Sequence, residues 1–244
     1  MNDLTPEQIS SLGSQALLIT LLITTVLGAI MQKTSFCTLG AVSDGILMED
    51  WSRMRQWCLA IGIAILGVAL MSHLGWIDVS KSFYTGNRVL YLSTVIGSTL
   101  FGIGMVLASG CGSKTLVRIG GGNLKSIVVF IVLGLVAYMT MRGFLGMMKA
   151  NTIDKVSLSL STNQDLPSIL SASFGIAKEN LRSILALVIG GVFIGFALLK
   201  KSFWSSENLL AGIGVGVAVT AIWWVSGRYA HLTEDPNTLQ EACL

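Results

Sequence analysis

The residues of this sequence best suited to chemistry surround a single thiol, Cys111, at the end of a long apolar segment that begins near Leu90. Glycine stands on both sides of the thiol, so the backbone can adopt conformations closed to other residues and a ligand can approach the main chain. At membrane depth, non-helical backbone is tolerated only where protein or a water-filled cavity surrounds it. A helix that breaks here therefore predicts a pathway for a polar ligand. The candidate site residues of this segment are Gly110, Cys111, Gly112, Ser113, Lys114 and Arg118.

A second thiol, Cys37, stands in a comparable setting. The ten residues that end at Cys37, GAIMQKTSFC, and the ten that end at Cys111, GIGMVLASGC, share glycine, methionine, serine and cysteine at the same places. This correspondence predicts an internal repeat with segments over about 15–56 and 90–126. Membrane proteins built from repeats commonly place their site at the repeat interface, on broken helices. The two thiols are therefore predicted to face one route.

The other two cysteines, Cys58 and Cys243, have no such setting. The sequence contains no Cys-x-x-Cys pair, and neither His73 nor His231 has a neighbouring cysteine. This spacing argues against a zinc site and against a disulfide-relay oxidoreductase. We expect no metal and no cofactor. Free cysteine commonly packs as a small hydrophobic residue, and we expect Cys58 and Cys243 to have no chemical role.

The composition indicates a membrane protein. Of the 244 residues, 52% are hydrophobic and only 12% are charged, with a mean hydropathy of +0.73. A soluble domain carries about a quarter charged residues. The net charge of +3 is small and gives no reason to expect a nucleic-acid partner. Asp3 and Glu7 precede the first apolar run, where a secretory signal peptide carries basic residues, so no cleaved signal is predicted.

The apolar runs predict an all-α membrane protein of about six transmembrane helices, forming one polytopic domain over 1–244. Each run approaches the ~20 residues that cross the hydrocarbon. The stretch 36–48 is too short to cross, so it predicts a short re-entrant or interfacial helix. Basic residues in alternate connections favour an N-terminus outside the cytoplasm. The predicted spans are 15–32, 57–74, 90–108, 127–148 with a break near Arg142, 184–199 and 209–226.

The polar segments between the spans carry further expectations. Residues 5–7 predict the cap of a short surface helix before the first span. Residues 49–55 predict a charged, solvated hinge, and 78–88 a polar loop. Residues 151–182 predict an extramembrane loop with an amphipathic helix over 166–177, and 231–244 a polar tail.

Two segments resemble the signature segments of the YeeE/YedE family, the sulfur-transport membrane proteins of bacteria. They are FCTLGAVSD, which contains Cys37, and SGCGSKTLVRIGGGNLKS, which contains Cys111. The resemblance implies a multi-pass inner-membrane protein whose short helices enter from both faces and whose substrate is thiosulfate or a related sulfur anion. It also implies that Cys37 and Cys111 contact the ion through hydrogen bonds to its sulfur, with Gly110, Gly112 and Ser113 shaping the turn.

The sequence departs from the family in one respect. Full-length members carry a further glycine-flanked cysteine in a GCTxGQG-like segment, which nothing here matches, since Cys243 lies in a polar tail. The chain is therefore expected either to be truncated or to have its other half supplied by a second polypeptide.

Three functions remain open on the sequence. The first is transport of the anion without ATP hydrolysis, since no GxxxxGK[ST] phosphate-binding motif is present. The second is a non-transporting membrane partner: one half of a split transporter, or a docking subunit for a soluble sulfurtransferase. The third is a membrane thiol enzyme, which requires a depressed pKa at Cys111 and a persulfide intermediate.

The physical means for the first function are present in the sequence. A dianion crosses hydrocarbon only with partners, because an isolated ion pays a large desolvation penalty. Helix N-termini and unpaired backbone N–H groups suit anions, and thiols are weak, polarizable donors that hold a sulfur-bearing ion without trapping it. Lys114 and Arg118 would raise the local concentration of anions if they lie near the mouth, and the alternative is that they are ordinary cytoplasmic anchors of the helix.

Overall fold

The computed structural model describes residues 6–77, 87–160, 162–174, 178–229, 231–232 and 242–243. In these residues the chain forms ten α-helices and four two-residue strands. The helices are α1 (Pro6–Thr34), α2 (Thr38–Leu47), α3 (Ser52–His73), α4 (Tyr91–Leu107), α5 (Gly112–Gly120), α6 (Leu124–Arg142), α7 (Phe144–Asn151), α8 (Leu166–Phe174), α9 (Lys178–Leu198) and α10 (Ser206–Tyr229). The strands are β1 (Arg88–Val89), β2 (Leu158–Ser159), β3 (His231–Leu232) and β4 (Ala242–Cys243).

The predicted all-α membrane fold is confirmed. Six helical segments of the described residues are long and apolar enough to cross a membrane, so the chain is a multi-pass membrane protein. Two of these segments contain a break, between α1 and α2 and between α4 and α5. The segments are Gly13–Leu47, Ser52–His73, Tyr91–Gly120, Leu124–Arg142, Lys178–Leu198 and Ser206–Gly227.

Helix boundaries differ from the predicted ones at both ends of the chain. No separate surface helix precedes the first span, because α1 runs unbroken from Pro6 to Thr34; its predicted cap, Thr5, lies outside the described residues. Proline suits the first turn of a helix, where its missing N–H has no intrahelical partner, and nothing after it stops the helix. Helix α9 begins at Lys178, six residues before the predicted fifth span, because a helix continues beyond the apolar run that the bilayer requires.

The predicted break near Arg142 is confirmed. Helix α6 ends at that residue, and α7 begins after a single intervening glycine, Gly143. A Cβ at position 143 would lie 2.8 Å from the backbone oxygen of Met139, so only glycine permits this close turn between the helices.

The strands lie where the sequence predicted only loops and a tail. Strand β1 pairs antiparallel with β2, with Arg88 opposite Ser159, and ties the connection before α4 to the connection after α7. Strand β3 pairs with β4, with His231 opposite Cys243. Pairings this far apart in sequence leave no local pattern, so the polar composition predicted a loop. Residues 78–86 of that predicted loop lie outside the described residues.

The chain divides into two compact units, and the single domain over 1–244 stays a prediction. The first unit comprises residues 1–34, 55–82 and 179–244 and contains α1, most of α3, α9 and α10. Its glycines permit close helix packing, as Gly62 and Gly67 on α3 show. A Cβ on Gly62 would lie 2.7 Å from Ile194 Cγ1 on α9, and one on Gly67 would lie 2.6 Å from Thr220 Cγ2 on α10. Small residues let apolar helices approach closely where no hydrophobic force drives them together.

Arg55 corrects the prediction of a solvated hinge over 49–55. Helix α3 already begins at Ser52, and the Arg55 guanidinium donates to the backbone oxygen of Phe196 at 2.6 Å. It also lies 4.8 Å from the centre of the Phe196 ring. The last carbonyls of a helix lack intrahelical partners, so a basic side chain is a natural donor to the end of α9.

The second unit comprises residues 35–54 and 83–178 and contains α2, α4 to α8, β1 and β2. Helix α8 begins at Leu166, as predicted, and ends its described part at Phe174; residues 175–177 of the predicted helix lie outside the described residues. Both thiols of the candidate site, Cys37 and Cys111, belong to this unit.

Candidate functional site

Two serines break the long helices just before the thiols. Ser35, after α1, and Ser109, after α4, both adopt left-handed backbone conformations, with φ of 49° and 55°. At the end of α4, Ser109 N–H donates to Val106 O at 3.1 Å and Gly110 N–H donates to Met105 O at 2.9 Å. This pair of bonds is the Schellman motif that satisfies the last carbonyls of a helix. A left-handed residue other than glycine costs roughly 1–2 kcal/mol, a strain often found at functional sites.

Each thiol then stands at the start of a short helix. Cys37 precedes α2 and Cys111 precedes α5, both with extended backbone, and neither side chain completes a capping hydrogen bond. The first N–H groups of a helix have no intrahelical acceptors, so both helices present donors at these ends. The order of long helix, left-handed serine, cysteine and short helix is the same in both segments, although the internal repeat as a whole stays a prediction.

The structure brings the two thiols together. Cys37 is 2% exposed and Cys111 is 7% exposed. The Cys111 sulfur lies 3.1 Å from Ser113 Oγ, and the Cys37 side chain and the backbone N–H groups of Lys114 and Thr38 lie near it, although the sulfur completes no capping hydrogen bond. Lys114 belongs to α5 and Thr38 to α2, so the N-termini of both short helices converge on one sulfur. The buried thiols and the two helix ends therefore form one site.

The flanking glycines have different surroundings. A Cβ on Gly110 would lie 3.1 Å from Lys114 Cδ, so the stem of Lys114 packs closely on this glycine. A Cβ on Gly112 would meet only Leu133 Cδ1, at an ordinary 3.9 Å. Neither glycine has a positive φ; the left-handed residue of the turn is Ser109. Gly110 therefore serves close contact, and nothing steric requires glycine at 112.

The basic residues of α5 lie one turn apart and are half-buried. Among the described residues, ion pairs join Arg53 to Asp44, Lys149 to Asp154 and Lys178 to Asp165. In this part of the chain, Lys114 and Arg118 therefore keep a charge that no carboxylate neutralises. Helix α5 ends in the glycine run, where Gly122 has φ of 86° and Asn123 N–H donates to Arg118 O at 3.0 Å.

One residue near the site was missed by sequence reasoning, which placed Arg53 in a solvated hinge. Its Nε lies 3.3 Å from Asp44 Oδ2, and a Cβ on Gly40 would lie 2.5 Å from its Nη1. The same added Cβ would lie 3.6 Å from Cys37 Cβ. Opposite charges nine residues apart, across the end of a predicted short helix, are the signal that indicates this pairing in the sequence.

The third described thiol belongs to the other unit. Cys58 is on α3 in the first unit, where it packs against the cluster of Leu59, Ala197 and Phe203. This environment suits a small apolar side chain. Cys58 is therefore the natural control for experiments on the other two thiols.

Comparison with known proteins adds the family. Over 163 residues the chain is 26% identical to the thiosulfate transporter TsuA of Escherichia coli (strain K12), which covers 67% of this chain and 43% of that protein. Over 123 residues it is 27% identical to the thiosulfate transporter TsuA of Spirochaeta thermophila, covering 50% of this chain and 36% of the relative. The matched stretches thus span less than half of either relative. A family model described as sulphur transport matches residues 33–234, which include both thiols of the site. The chain therefore belongs to the sulphur transport family, the YeeE/YedE family that its two cysteine segments resemble.

Proposed function

We propose that this chain moves thiosulfate or a related sulfur-containing anion across the bacterial inner membrane by way of the Cys37 and Cys111 thiols. One observation carries the proposal: two helix N-termini without side-chain caps converge on two buried thiols. Both named relatives are thiosulfate transporters, which supports the same substrate class.

The site offers an anion positive charge and hydrogen-bond donors, which the hydrocarbon of the bilayer lacks. Each helix N-terminus carries roughly half a positive charge, and its N–H groups are donors with no acceptor in the helix. The thiols add weak donors with polarizable sulfur, suited to the terminal sulfur of thiosulfate. Weak contacts at neighbouring points let an ion enter and leave again, which conduction requires. The arrangement favours passage over storage.

The remaining site residues have supporting roles in this proposal. Ser113 lies 3.1 Å from the Cys111 sulfur, so its hydroxyl can orient the thiol or donate to the anion. Gly112 keeps the main chain at the turn accessible to the ion, and Gly110 lets the stem of Lys114 pack against the turn. Lys114 and Arg118, which have no carboxylate partner among the described residues, attract anions to this end of the unit.

Transport in this proposal needs no nucleotide and no chemistry on the ion. The sequence contains no GxxxxGK[ST] motif, and the thiols act as hydrogen-bonding groups. The protein is then a transporter and not an enzyme, and it needs no cofactor.

We also propose that further membrane helices complete the transporter, either in the same protein or in a partner. Helix α4 supports this: none of its residues is buried, and its Gly97, Gly102 and Gly104 have nothing within 4 Å of an added Cβ. Glycines on membrane helices commonly mark the face where another helix packs. The matched stretches cover 43% and 36% of the two relatives, which leaves room for such helices in a longer protein. A soluble sulfurtransferase that receives the ion is compatible with this arrangement.

The test is uptake of radiolabelled thiosulfate by the complete protein in proteoliposomes. Cys37→Ala or Cys111→Ala should abolish uptake, and cells carrying either variant should not grow on thiosulfate as sole sulfur source. Cys58→Ala, the matched control, should behave as wild type. Unchanged uptake by both single variants would rule out passage along the thiols. Uptake by this chain alone would overturn the proposal that further helices complete the transporter.

A further inference from the structure

A third side chain approaches the site along one face of α2. Gly40 lies one turn beyond Cys37, and Asp44 lies one turn beyond Gly40, so the three residues share a helix face. Arg53, from the first turn of α3, extends its side chain along this face. Its guanidinium and the Cys37 Cβ adjoin the same small space, the one that a Cβ on Gly40 would fill.

Two contacts fix the position of Arg53. Its Nε lies 3.3 Å from Asp44 Oδ2, with the two side chains 35% and 21% exposed. Its Nη1 lies where only glycine leaves room, 2.5 Å from the place of a Cβ at residue 40. Nε and Nη1 belong to different edges of the planar guanidinium. Asp44 therefore holds one edge, while Nη1, on another edge, lies over Gly40, one helical turn from Cys37.

We propose that Arg53 is an anion-contacting residue of the transport site, held by Asp44 against Gly40 so that its guanidinium meets the sulfur oxyanion at Cys37. This inference rests on the proposed function and deepens it. A guanidinium offers planar, paired N–H donors that match the oxygens of an oxyanion. Asp44 offsets part of the charge when no ion is bound, which keeps the site from holding a dianion too tightly.

The competing explanation is that Arg53 and Asp44 only join the end of α2 to the start of α3. An ion pair of that kind affects folding, and half-exposed pairs contribute little. Loss of a purely structural pair should not change the concentration at which thiosulfate saturates uptake. Apparent affinity therefore separates the two explanations.

The experiment measures initial rates of thiosulfate uptake against concentration for the complete protein in proteoliposomes. Arg53→Gln should raise KM roughly ten- to a hundredfold, the effect of losing one hydrogen bond to a charged group. Arg53→Lys should give an intermediate KM, because a lysine keeps the charge and loses the planar fork.

Two alanine substitutions on α2 provide a matched comparison. Gly40→Ala places a methyl group on the guanidinium and should raise KM as Arg53→Gln does. Gly45→Ala, on the same helix, would place its methyl group at an ordinary 3.6 Å from its nearest neighbour, the Trp51 ring, and should leave KM unchanged. Thermal unfolding of each variant in detergent shows whether it is folded. This pair decides the question even where Arg53→Gln does not fold.

The outcomes distinguish this inference from the proposed function. If the wild-type protein takes up no thiosulfate, both the proposed function and the role of Arg53 are overturned. Normal wild-type uptake, with KM unchanged in Arg53→Gln and Gly40→Ala, overturns only the role of Arg53. The same follows if Gly40→Ala and Gly45→Ala raise KM equally, or if the variants lose stability and maximal rate at constant KM.

Discussion

Replacing Cys111 by serine separates the two things that its sulfur can do, which are to support the start of α5 and to contact the ion. The thiol is buried and lies 3.1 Å from Ser113 Oγ, yet it completes no cap on the helix. Serine is a preferred residue at this position, and the nearby N–H groups of Lys114 and Thr38 can satisfy its hydroxyl. We therefore expect Cys111→Ser to leave the free energy of unfolding within about 1 kcal/mol of wild type. Cys111→Ala should lose about 1 kcal/mol.

Transport should respond in a different way. A hydroxyl that donates to a charged acceptor contributes roughly 1.5–3 kcal/mol, and a thiol is a weaker donor. A tighter hold of about 1.4 kcal/mol slows release about tenfold. Cys111→Ser should therefore lower the maximal rate of uptake about tenfold without raising KM, in a protein that is as stable as wild type.

The assay combines concentration-dependent uptake in proteoliposomes with thermal unfolding in one detergent, using Cys58→Ser as the control for a cysteine outside the site. Wild-type maximal rates in Cys111→Ser would refute the reasoning, because they would show that any small capping group serves at this position. A maximal rate that falls in proportion to stability would do the same.

Two further predictions test the packing and the loop. Gly62→Ala should lower the free energy of unfolding by about 1–3 kcal/mol by overpacking α3 on α9, whereas Gly191→Ala, with nothing within 4 Å, should raise it by about 0.5–1 kcal/mol; detergent denaturation measures both, and equal effects would contradict this packing. Burial opposes ionisation of Asp165, but Ser168 and Lys178 outweigh it and hold the pKa of this carboxyl below its ordinary value. Its stabilisation is present above pH ~4 and disappears as pH falls through the depressed pKa, so Asp165→Asn should cost at most about 1 kcal/mol at pH 7 and nothing at low pH; a constant difference across the pH range would contradict it.

The spans and the approach of the two thiols could be predicted because the bilayer imposes strong rules on sequence. Each crossing needs an apolar run of nearly fixed length, so six runs predict six helices whatever their neighbours. Cys37 and Cys111 could be related because the residues before them match. The match did not reveal how each long helix ends. Ser35 and Ser109, and not the flanking glycines, adopt the left-handed conformation at these ends. A serine carries no sequence mark of that conformation.

Long-range pairings could not be predicted for a related reason. The contact of Arg53 with the space over Gly40 depends on how α3 starts, and the helix begins at Ser52, inside what composition indicated as a solvated hinge. The pairing of Arg88 with Ser159 joins two connections that share no local signal. In both cases the residue that forms the contact lies on another helix or strand. The charge and polarity of the local sequence therefore predict only a solvent-exposed segment.

The charges around the site suggest why it needs more than helix ends. Helices α2 and α5 have ten and nine residues, long enough for their N-termini to contribute about half a charge each. Together they compensate roughly one unit of charge, whereas thiosulfate, the proposed substrate, carries two. Under the proposed function the second unit must come from side chains, and Arg53, whose guanidinium adjoins the space over Gly40 beside Cys37, is one candidate. Because Asp44 shares that cation, compensation stays incomplete. A dianion is then stabilised enough to enter a buried site but not enough to remain, which is the balance that transport requires.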